Sequence, residues 1–491
     1  MQVEAGITLS EIHEVLDFHG LAMSNLGSIS EQSIAGAIST GTHGALHAKQ
    51  SEATSPVFIS CVYFIFLSVY AAGRHWLAAR HHGNPSPGAA ACLGVGGSRP
   101  CIAAAQSRCV VLKLSRIFLP SLLPESPGIG VFLSVADLFQ AALCGLGSVG
   151  IITGVILLVT NAFDLHEVGR AVPLKTLLPE YMARARSHHF YRFWWFPHTD
   201  MCWEVTATPL KPAGVPGKRA SRGACCTACC TPLAFIQQWF DWLRFTLFGF
   251  YLFQAALFVG VLIPAIIPYV NQLWRYVLFH VRREKIDRSD KVMNIDCLFK
   301  QCVLPPCVSL HGKLRLLVWL PCRGSVDDHL DRHVDEWSVP IRQLPQAMEK
   351  LQELIDRNGF HVHYPVEVRF VRGDDIWLSP AYGGDVAFIG IIMYKPFGAT
   401  MDYRAYFDEY EKAMARLGGR PHWAKCFRLN EPDFRMLYPK WSLFKEVRED
   451  VDPDGVFVNQ WVERVVLGDG SGPSGYLEDA DPGSAASGGR L

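Results

Sequence analysis

Residues 20–44, GLAMSNLGSISEQSIAGAISTGTHG, restrict the fold of this chain more than any other stretch. The 25 residues include five Gly, five Ser, three Ala and two Thr. Small side chains let backbone N–H groups approach a ligand, and a run of them can form an anion-binding concavity that suits a pyrophosphate. A Gly/Ser-rich stretch can also be a flexible connector, but a connector would not carry interleaved apolar residues such as Leu26 and Ile38. We therefore interpret residues 20–44, the ribbon below, as ligand-facing backbone.

Ordered local patterns flank the ribbon. Residues 2–6 resemble the end of a strand, so we expect a further segment upstream. Thr8 and Glu11 have the spacing of a capping box at the start of a helix, and Gly20 suits its C-terminal cap. A glycine-broken apolar pattern follows at residues 134–159. Beyond residue 335 the pattern predicts a helix at 345–358, strands at 360–371 and 385–394, helices at 403–417 and 433–447, and a disordered tail at 467–491.

The segment 245–274 holds 30 residues without Asp, Glu, Lys or Arg. About 20 apolar residues suffice to cross the hydrocarbon of a bilayer, and aromatic residues cluster at both ends as an interfacial belt would. Pro264 and Pro268 would kink such a helix, so a re-entrant hairpin is an alternative, as is a buried core helix. We predict a membrane-associated segment here.

Charge and cysteine content exclude two classes of function. Lys+Arg and Asp+Glu balance at 46 each, so the basic surface typical of nucleic-acid binding is missing and we expect no nucleic-acid partner. Four of the 15 cysteines form a CCxxCC cluster at 225–230. Tetrahedral zinc usually takes two well-separated ligand pairs, and these four are too crowded to converge on one ion. We predict no metal site.

Two short motifs carry candidate chemistry. In HYPVEVRFVRGDD, residues 363–375, strand alternation places His363, Glu367 and Arg369 on one face, with Glu367 and Arg369 about 7 Å apart. The pair could be a solvated strand face, or an Arg that holds negative charge beside a Glu that accepts a hydroxyl proton or hydrogen bond. In GGRPHWAK, residues 418–425, His422 and Lys425 would meet in a helical turn, or lie in a surface loop.

Taken together, these stretches resemble one family. VEAGITLSEIHEVLDFHGLAMSNLGSISEQSIAGAISTGTHG, LFQAALCGLGSVGIITGV, FYRFWWFPHTD, HYPVEVRFVRGDDIWLSP, GGRPHWAK and VDPDGVFVNQWVERV occur in family order. The chain is similar to the aldonolactone oxidases of the vanillyl-alcohol-oxidase flavoprotein class, a family that includes the animal L-gulonolactone oxidases. The match covers roughly residues 2–44, 134–210, 233–300 and 333–466.

The resemblance implies an α+β fold and an FAD cofactor. Residues 1–160 would be part of a two-subdomain, PCMH-type FAD-binding domain, and residues 161–466 would be a cap (substrate) domain with an antiparallel sheet. The ribbon would lie along the FAD pyrophosphate and flavin, and a second segment would line the cofactor. The implied cofactor-binding residues are Gly27, Ser28, Ser30, Ile34, Gly36, Ser39, Gly41, Thr42, His43, Gly147, Gly150 and Ile151.

The family reaction oxidises the C2 hydroxyl of L-gulono-1,4-lactone with O2, giving hydrogen peroxide and a 2-keto lactone that isomerises to ascorbate. By similarity, Glu367 would bind the substrate hydroxyl and Arg369 would steady the reduced flavin, while Lys425 and His422 would lie near the flavin and the lactone. The segment 245–274 fits the microsomal (endoplasmic reticulum) membrane location of the animal enzymes. The implied partners are therefore an aldonolactone, O2 and a membrane.

The chain also departs from the family pattern. The family's first flavin subdomain, with a GGHSPSD-like loop whose His bonds covalently to the flavin, is not found in this sequence, so we expect non-covalent FAD. Residues 45–133, 215–230 and 302–332 have the character of non-family insertions. These departures leave an alternative open, in which the chain is a catalytically inactive, membrane-associated remnant or a mis-assembled gene model of such an oxidase.

Overall fold

The computed structural model describes residues 1–44, 134–210, 251–293 and 332–476, together with the backbone of two strands, Phe64–Tyr70 and Val110–Ser115. The CCxxCC cluster, the expected insertion 215–230, most of the insertions 45–133 and 302–332, and residues 477–491 of the predicted tail lie outside the described residues.

The described part of the chain combines helices with antiparallel strands, as the predicted α+β class requires. Apart from short 3₁₀ turns and a π-helix at Glu463–Leu467, the helices are α1 Leu9–Phe18, α2 Ile34–Ser39, α3 Val135–Leu143, α4 Leu174–Leu177, α5 Tyr181–Ser187, α6 Phe253–Leu262, α7 Ile267–Phe279, α8 Ser289–Met293, α9 Leu344–Asn358, α10 Arg404–Arg416, α11 Glu431–Leu437, α12 Trp441–Val451 and α13 Gln460–Val462. The strands are β1 Gln2–Glu4, β2 Leu21–Ala22, β3 Phe64–Tyr70, β4 Val110–Ser115, β5 Ile151–Ile152, β6 Gly154–Ile156, β7 Thr160–Asn161, β8 Asp164–Pro173, β9 Phe190–Trp195, β10 Met201–Pro209, β11 Arg283–Arg288, β12 Arg332–Pro340, β13 Val366–Val371, β14 Val386–Tyr394 and β15 Arg420–Pro421.

An eight-stranded antiparallel sheet, the main sheet below, dominates the fold. Its strand order is β11-β8-β10-β9-β13-β14-β12-β15. Helices α9 and α10 pack together behind one face, where Trp337 and Leu351 are fully buried. The Tyr410 hydroxyl of α10 donates a hydrogen bond to the Ile389 carbonyl of β14. Because side chains alternate along a strand, every second residue of β12, β13 and β14 is left to face the opposite side.

Strand β13 has the predicted alternation but is shorter than predicted. Val366, Val368 and Phe370 are buried on the helix-covered face, while Glu367 and Arg369 point to the other. The strand begins at Val366 rather than 360, because Pro365 has no N–H to donate to a ladder. Before that proline the alternation does not hold, so the predicted grouping of His363 with Glu367 was wrong.

His363 belongs to the core instead. Its side chain is buried, its Nδ1 accepts a hydrogen bond from the Tyr394 N–H at 2.9 Å, and its ring stacks on that of Tyr394. Burial lowers the pKa of His363 to about 3, so the ring is neutral.

The amino-terminal part is held by smaller sheets. Strands β1 and β6 pair, as do β2 and β7, and β3 lies between β4 and β5. The predicted capping box is confirmed, since the Thr8 hydroxyl accepts from the Glu11 N–H and the Glu11 carboxylate accepts from the Thr8 N–H. Gly20 follows α1 with a φ of 67°, the left-handed conformation that glycine favours.

Residues 251–274 of the predicted membrane segment form two helices, α6 and α7, separated by a 3₁₀ turn at Pro264. Within the described residues, no helix combines the length and apolar character needed to cross a bilayer.

Two further boundaries differ from the prediction. The helix predicted at 433–447 is two helices, α11 and α12, because Pro439 interrupts the hydrogen-bond ladder between them. Part of the predicted disordered tail is packed against the protein. Asn430 donates hydrogen bonds to Ser471 and to the Gly472 carbonyl, and the Tyr476 hydroxyl donates to Asp408.

Candidate active site

A cleft of about 1220 Å³, counted to its open mouth, separates the ribbon from the uncovered face of the main sheet. It brings the ribbon together with both sequence-predicted motifs, which are far apart along the chain. Its walls come from the ribbon, from strands β9, β12, β13 and β14, and from the turn after β15. The lining residues are Ser28, Ile29, Gln32, Thr42, His43, Trp194, Arg332, Val334, Glu336, Pro365, Glu367, Arg369, Gly390, Ile392, Tyr394, His422, Ala424 and Lys425.

Glu367 and Arg369 form an ion pair inside the cleft. The Arg369 Nη2 donates to Glu367 Oε2, and the Trp194 Nε1–H donates to Glu367 Oε1 at 3.0 Å. Burial by itself raises the pKa of Glu367, but the charge and hydrogen bond of Arg369, together with Trp194 and Arg192, outweigh burial and hold the pKa below its ordinary value. Glu367 is therefore a carboxylate at neutral pH, with lone pairs that can accept a hydrogen bond from a hydroxyl.

The motif at 418–425 enters the cleft from the edge of the sheet. Strand β15 pairs with Trp337 and Ser338, and the His422 N–H donates to the Glu336 carbonyl at 2.8 Å. The Lys425 N–H then donates to the His422 carbonyl at 3.0 Å, which closes a turn rather than a helix. The His422 ring is buried, and burial lowers its pKa to about 3.

Sequence reasoning missed Glu336, a buried carboxylate in the middle of β12. Its Oε1 lies 3.3 Å from His43 Nε2, and the His43 ring stacks on Phe388 with 3.5 Å between ring centroids. Burial raises the pKa of Glu336, but the charge and hydrogen bond of His43, helped by His422, bring it well below the ordinary value. The signal that could have found it is a pair of adjacent acidic residues, Asp335 and Glu336, between Val334 and Trp337 in the stretch HVDEWSVP.

Both histidine rings have partners within the protein. The His43 Nδ1 lies 3.1 Å from the Gly44 carbonyl, and its Nε2 faces the Glu336 carboxylate at 3.3 Å. The His422 Nδ1 accepts from the Ala424 N–H at 3.1 Å, so the neutral ring carries its hydrogen on Nε2.

The same three groups are arranged closely enough to ligate a metal. One donor atom each from His43, Glu336 and His422 lies within 4.8 Å of the others, and all three residues are buried. However, a metal on His422 Nε2 would displace the only hydrogen of a ring whose Nδ1 is already an acceptor. The hydrogen-bond pattern therefore favours a network held by protons.

The structure places three of the twelve predicted cofactor residues, Ser28, Thr42 and His43, in the wall of the cleft. The other nine are not among its lining residues, so their contact with a cofactor remains a prediction. Ile34 is buried at the start of α2, and a Cβ on Gly27 would lie 2.9 Å from the Thr42 methyl group. Those not lining the cleft are Gly27, Ser30, Ile34, Gly36, Ser39, Gly41, Gly147, Gly150 and Ile151.

The second predicted cofactor segment lies against the ribbon. The Leu146 N–H donates to the Ser39 carbonyl at 3.0 Å, and a Cβ on Gly41 would lie 3.4 Å from the Cys144 sulfur. Gly147 has a φ of 68° and is exposed, while Ile151 is 54% exposed and pairs with Tyr70. The second segment is thus joined to the ribbon at residues 144–146.

The residues present fit a bound flavin. The Ser28 hydroxyl is buried beside the cleft and has no hydrogen-bond partner among the described residues. Arg369 and Lys425 supply positive charge to the same cleft, opposite the ribbon. An oxidised flavin offers carbonyl acceptors to such donors, and its reduced form carries negative charge that they stabilise. Ser28, Thr42, Arg369 and Lys425 are the side chains that would hold it.

Comparison with known proteins gives the site a context. A family model described as D-arabinono-1,4-lactone oxidase matches residues 155–310 and 326–465. The L-gulonolactone oxidase of Scyliorhinus torazame is 30% identical over 464 residues, which cover 94% of this chain and 80% of that protein. The L-gulonolactone oxidase of Bos taurus is 28% identical over 466 residues, with the same coverage.

Solved structures show the same fold. A solvent-stable cholesterol oxidase has a TM-score of 0.56 at 13% identity, covering 94% of this chain and 81% of that chain. A cholesterol oxidase from Brevibacterium sterolicum has a TM-score of 0.54 at 14% identity, covering 95% and 80%. At these identities the likeness bears on the fold alone, and it confirms the predicted fold class.

Proposed function

Because this chain belongs to the D-arabinono-1,4-lactone oxidase family, we propose that it oxidises L-gulono-1,4-lactone at the C2 hydroxyl. The enzyme is a flavin-dependent oxidoreductase with a small-molecule substrate and O2 as partners. The single observation that carries the proposal is the cleft in which the ribbon faces the Glu367–Arg369 pair. A flavin held by Ser28, Thr42, Arg369 and Lys425 would supply the acceptor for the hydride and the route for two electrons to O2, with hydrogen peroxide as the second product.

The side chains of the cleft have separate roles in the oxidation of the alcohol. Oxidation of a secondary alcohol to a ketone releases a hydride from carbon and a proton from oxygen. Glu367 is ionised and accepts the hydrogen bond of the C2 hydroxyl, which orients the C2–H bond and gives the departing proton an acceptor. Arg369, held by Glu367, places a fixed positive charge where negative charge develops. Neutral His422 has no free lone pair, so it does not act as a base.

We further propose that FAD binds non-covalently. The two histidines of the described cleft are His43 and His422, and three of their four ring nitrogens are engaged by Gly44, Glu336 and Ala424. The fourth, Nε2 of His422, carries the hydrogen of the neutral ring, so neither ring presents a free lone pair for a bond to the flavin. Acid precipitation of the purified protein should therefore release the yellow chromophore into the supernatant, whereas a flavin retained in the pellet would contradict this part of the proposal.

The oxidase activity is tested on the purified protein. A yellow flavin absorption that bleaches on anaerobic addition of L-gulono-1,4-lactone, with one hydrogen peroxide formed per lactone in air, supports the proposal. D-arabinono-1,4-lactone is the comparison substrate, because the family model carries that name. Preference for D-arabinono-1,4-lactone would redirect the substrate assignment, and a flavin that neither lactone bleaches would refute the activity.

We also propose that the protein associates with the surface of a membrane, because it exposes an apolar surface. The family resemblance suggests the membrane of the endoplasmic reticulum. Tyr269, Leu273 and Tyr276 form one stripe on α7 and are 73%, 53% and 61% exposed. Leu262, at the end of α6, is 69% exposed. Such a surface suits the headgroup–acyl boundary. Flotation with neutral phosphatidylcholine vesicles should carry the protein upward, and Leu262→Ser should reduce the bound fraction; a protein that stays at the bottom would argue against the surface.

A further inference from the structure

Two carboxylates lie on either side of a glycine in the floor of the cleft. In the main sheet, Glu336 of β12 is directly opposite Gly390 of β14, and Gly390 is directly opposite Glu367 of β13. Neighbouring strands are about 4.8 Å apart, so the Cα atoms of the two glutamates are roughly 10 Å apart across the glycine. Since Gly390 has no side chain, the space between the carboxylates is a trough rather than a packed row.

The Glu336 end of the trough is equipped for recognition of hydroxyl groups. Glu336 is ionised, and its Oε1 engages His43, which leaves further lone pairs on a carboxylate that has about four. Lys425 and Arg332 line the same cleft and supply donors. Carboxylates paired with such donors can hold a hydroxyl as both donor and acceptor, which is the pattern a polyol requires.

The substrate has hydroxyls at both ends. In an aldonolactone the reacting C2 hydroxyl is on the ring, whereas the six-carbon lactone also carries hydroxyls on C5 and C6, outside the ring. With the C2 hydroxyl at Glu367, an elongated ligand lying along the trough directs its far end towards Glu336.

We propose that Glu336 recognises the terminal hydroxyl of a six-carbon aldonolactone across the Gly390 floor, and so determines substrate length. This inference rests on the proposed lactone oxidation and assigns its specificity. Glu367 acts at the carbon that is oxidised, while Glu336 binds the part of the substrate that does not react. The stronger binding of the longer substrate therefore comes from β12.

A pair of matched substrates tests the assignment. L-gulono-1,4-lactone and its 6-deoxy analogue differ only in the terminal hydroxyl. Since a hydrogen bond to a charged group is the stronger kind, the wild-type protein should prefer the complete lactone by about 10- to 100-fold in kcat/KM. Glu336→Gln should lose most of this preference, with the change largely in KM. Glu353→Gln, on an exposed face of α9, is the control and should keep the preference.

The dissociation constant of 2-deoxy-L-gulono-1,4-lactone gives a readout without turnover. This probe lacks the hydroxyl assigned to Glu367 but keeps the terminal one, so Glu336→Gln should weaken its binding about 10-fold or more, while Glu367→Gln should change it far less. The reverse ranking would overturn the proposal. So would an equal loss of kcat/KM on both matched lactones in Glu336→Gln.

Gly390→Ala provides a variant that should fold. The three heavy atoms nearest to a Cβ at this position belong to Glu336 and lie 3.7–3.8 Å away, which is ordinary contact. It should raise KM for both matched lactones because it fills the floor, whereas Gly6→Ala, with nothing within 4 Å, should not. An unchanged KM in Gly390→Ala would refute the trough. If the wild-type protein bleaches with neither lactone, the proposed function fails instead, which separates the two failures.

Discussion

Removal of the Arg369 guanidinium is the most informative perturbation of this site. In the Arg369→Met variant, Glu367 keeps its burial and its hydrogen bond from Trp194 but loses the partner that chiefly lowers its pKa. Because burial raises the pKa of Glu367, the pKa of the carboxyl should rise in the variant. Loss of one preorganised donor at a developing negative charge costs about 10²- to 10³-fold in rate, or about 3–4 kcal/mol.

The assay separates charge from fold. Stopped-flow absorbance under anaerobic conditions should show flavin reduction slowed by that factor in Arg369→Met. In Arg369→Met, the rate of flavin reduction should also rise with pH over a range where the wild-type rate is constant. The reason is that only ionised Glu367 accepts the hydrogen bond of the substrate hydroxyl, and the variant raises the pKa of Glu367. A ¹³C NMR titration of Glu367 carboxyl labels should show the raised pKa directly.

Two companion variants keep this reasoning testable. Removal of one partner of a buried ion pair can cost about 3–5 kcal/mol of stability, so Arg369→Lys, which retains the charge, should fold and recover part of the rate. Arg357→Met, on the exposed end of α9, should behave as wild type. Flavin reduction at the wild-type rate in Arg369→Met, or a pH profile parallel to that of the wild type, would refute the assigned role.

The ribbon and the edge of the sheet give two further predictions. Gly27→Ala places a Cβ 2.9 Å from the Thr42 methyl group and should lower the free energy of unfolding, measured in urea, by about 1–3 kcal/mol. Adding Thr42→Ser removes that methyl group and should recover much of the lost stability. A loss no larger than that of Gly6→Ala would contradict the close packing. Burial holds the pKa of His422 near 3 in the folded protein, so the unfolded chain binds its proton first as pH falls below about 6.5. Between pH 7 and pH 5, the free energy of unfolding of the wild type should therefore fall by about 2 kcal/mol more than that of His422→Asn. If the two proteins lose stability in parallel as the pH falls, His422 does not titrate in this way.

Much of the local structure was determined by the sequence alone. The capping box of Thr8 and Glu11 and the alternation that joins Glu367 to Arg369 depend on residues a few positions apart, and both are confirmed. Such features follow from the fixed periods of helix and strand, which no distant contact has to specify. The resemblance of short motifs to the aldonolactone oxidases was sufficient for the family and the fold class.

Other features were decided only when the chain packed. Glu336 and Gly390 join the site because the register of β12, β13 and β14 sets them opposite Glu367, and register depends on turns and on core packing across the whole sheet. His363 does not lie on the predicted face, because the strand begins only after Pro365 and the His363 ring is buried in the core. The sequence therefore specified which neighbouring residues share a face, whereas tertiary structure decided which strands lie side by side and thus which carboxylates share a cleft.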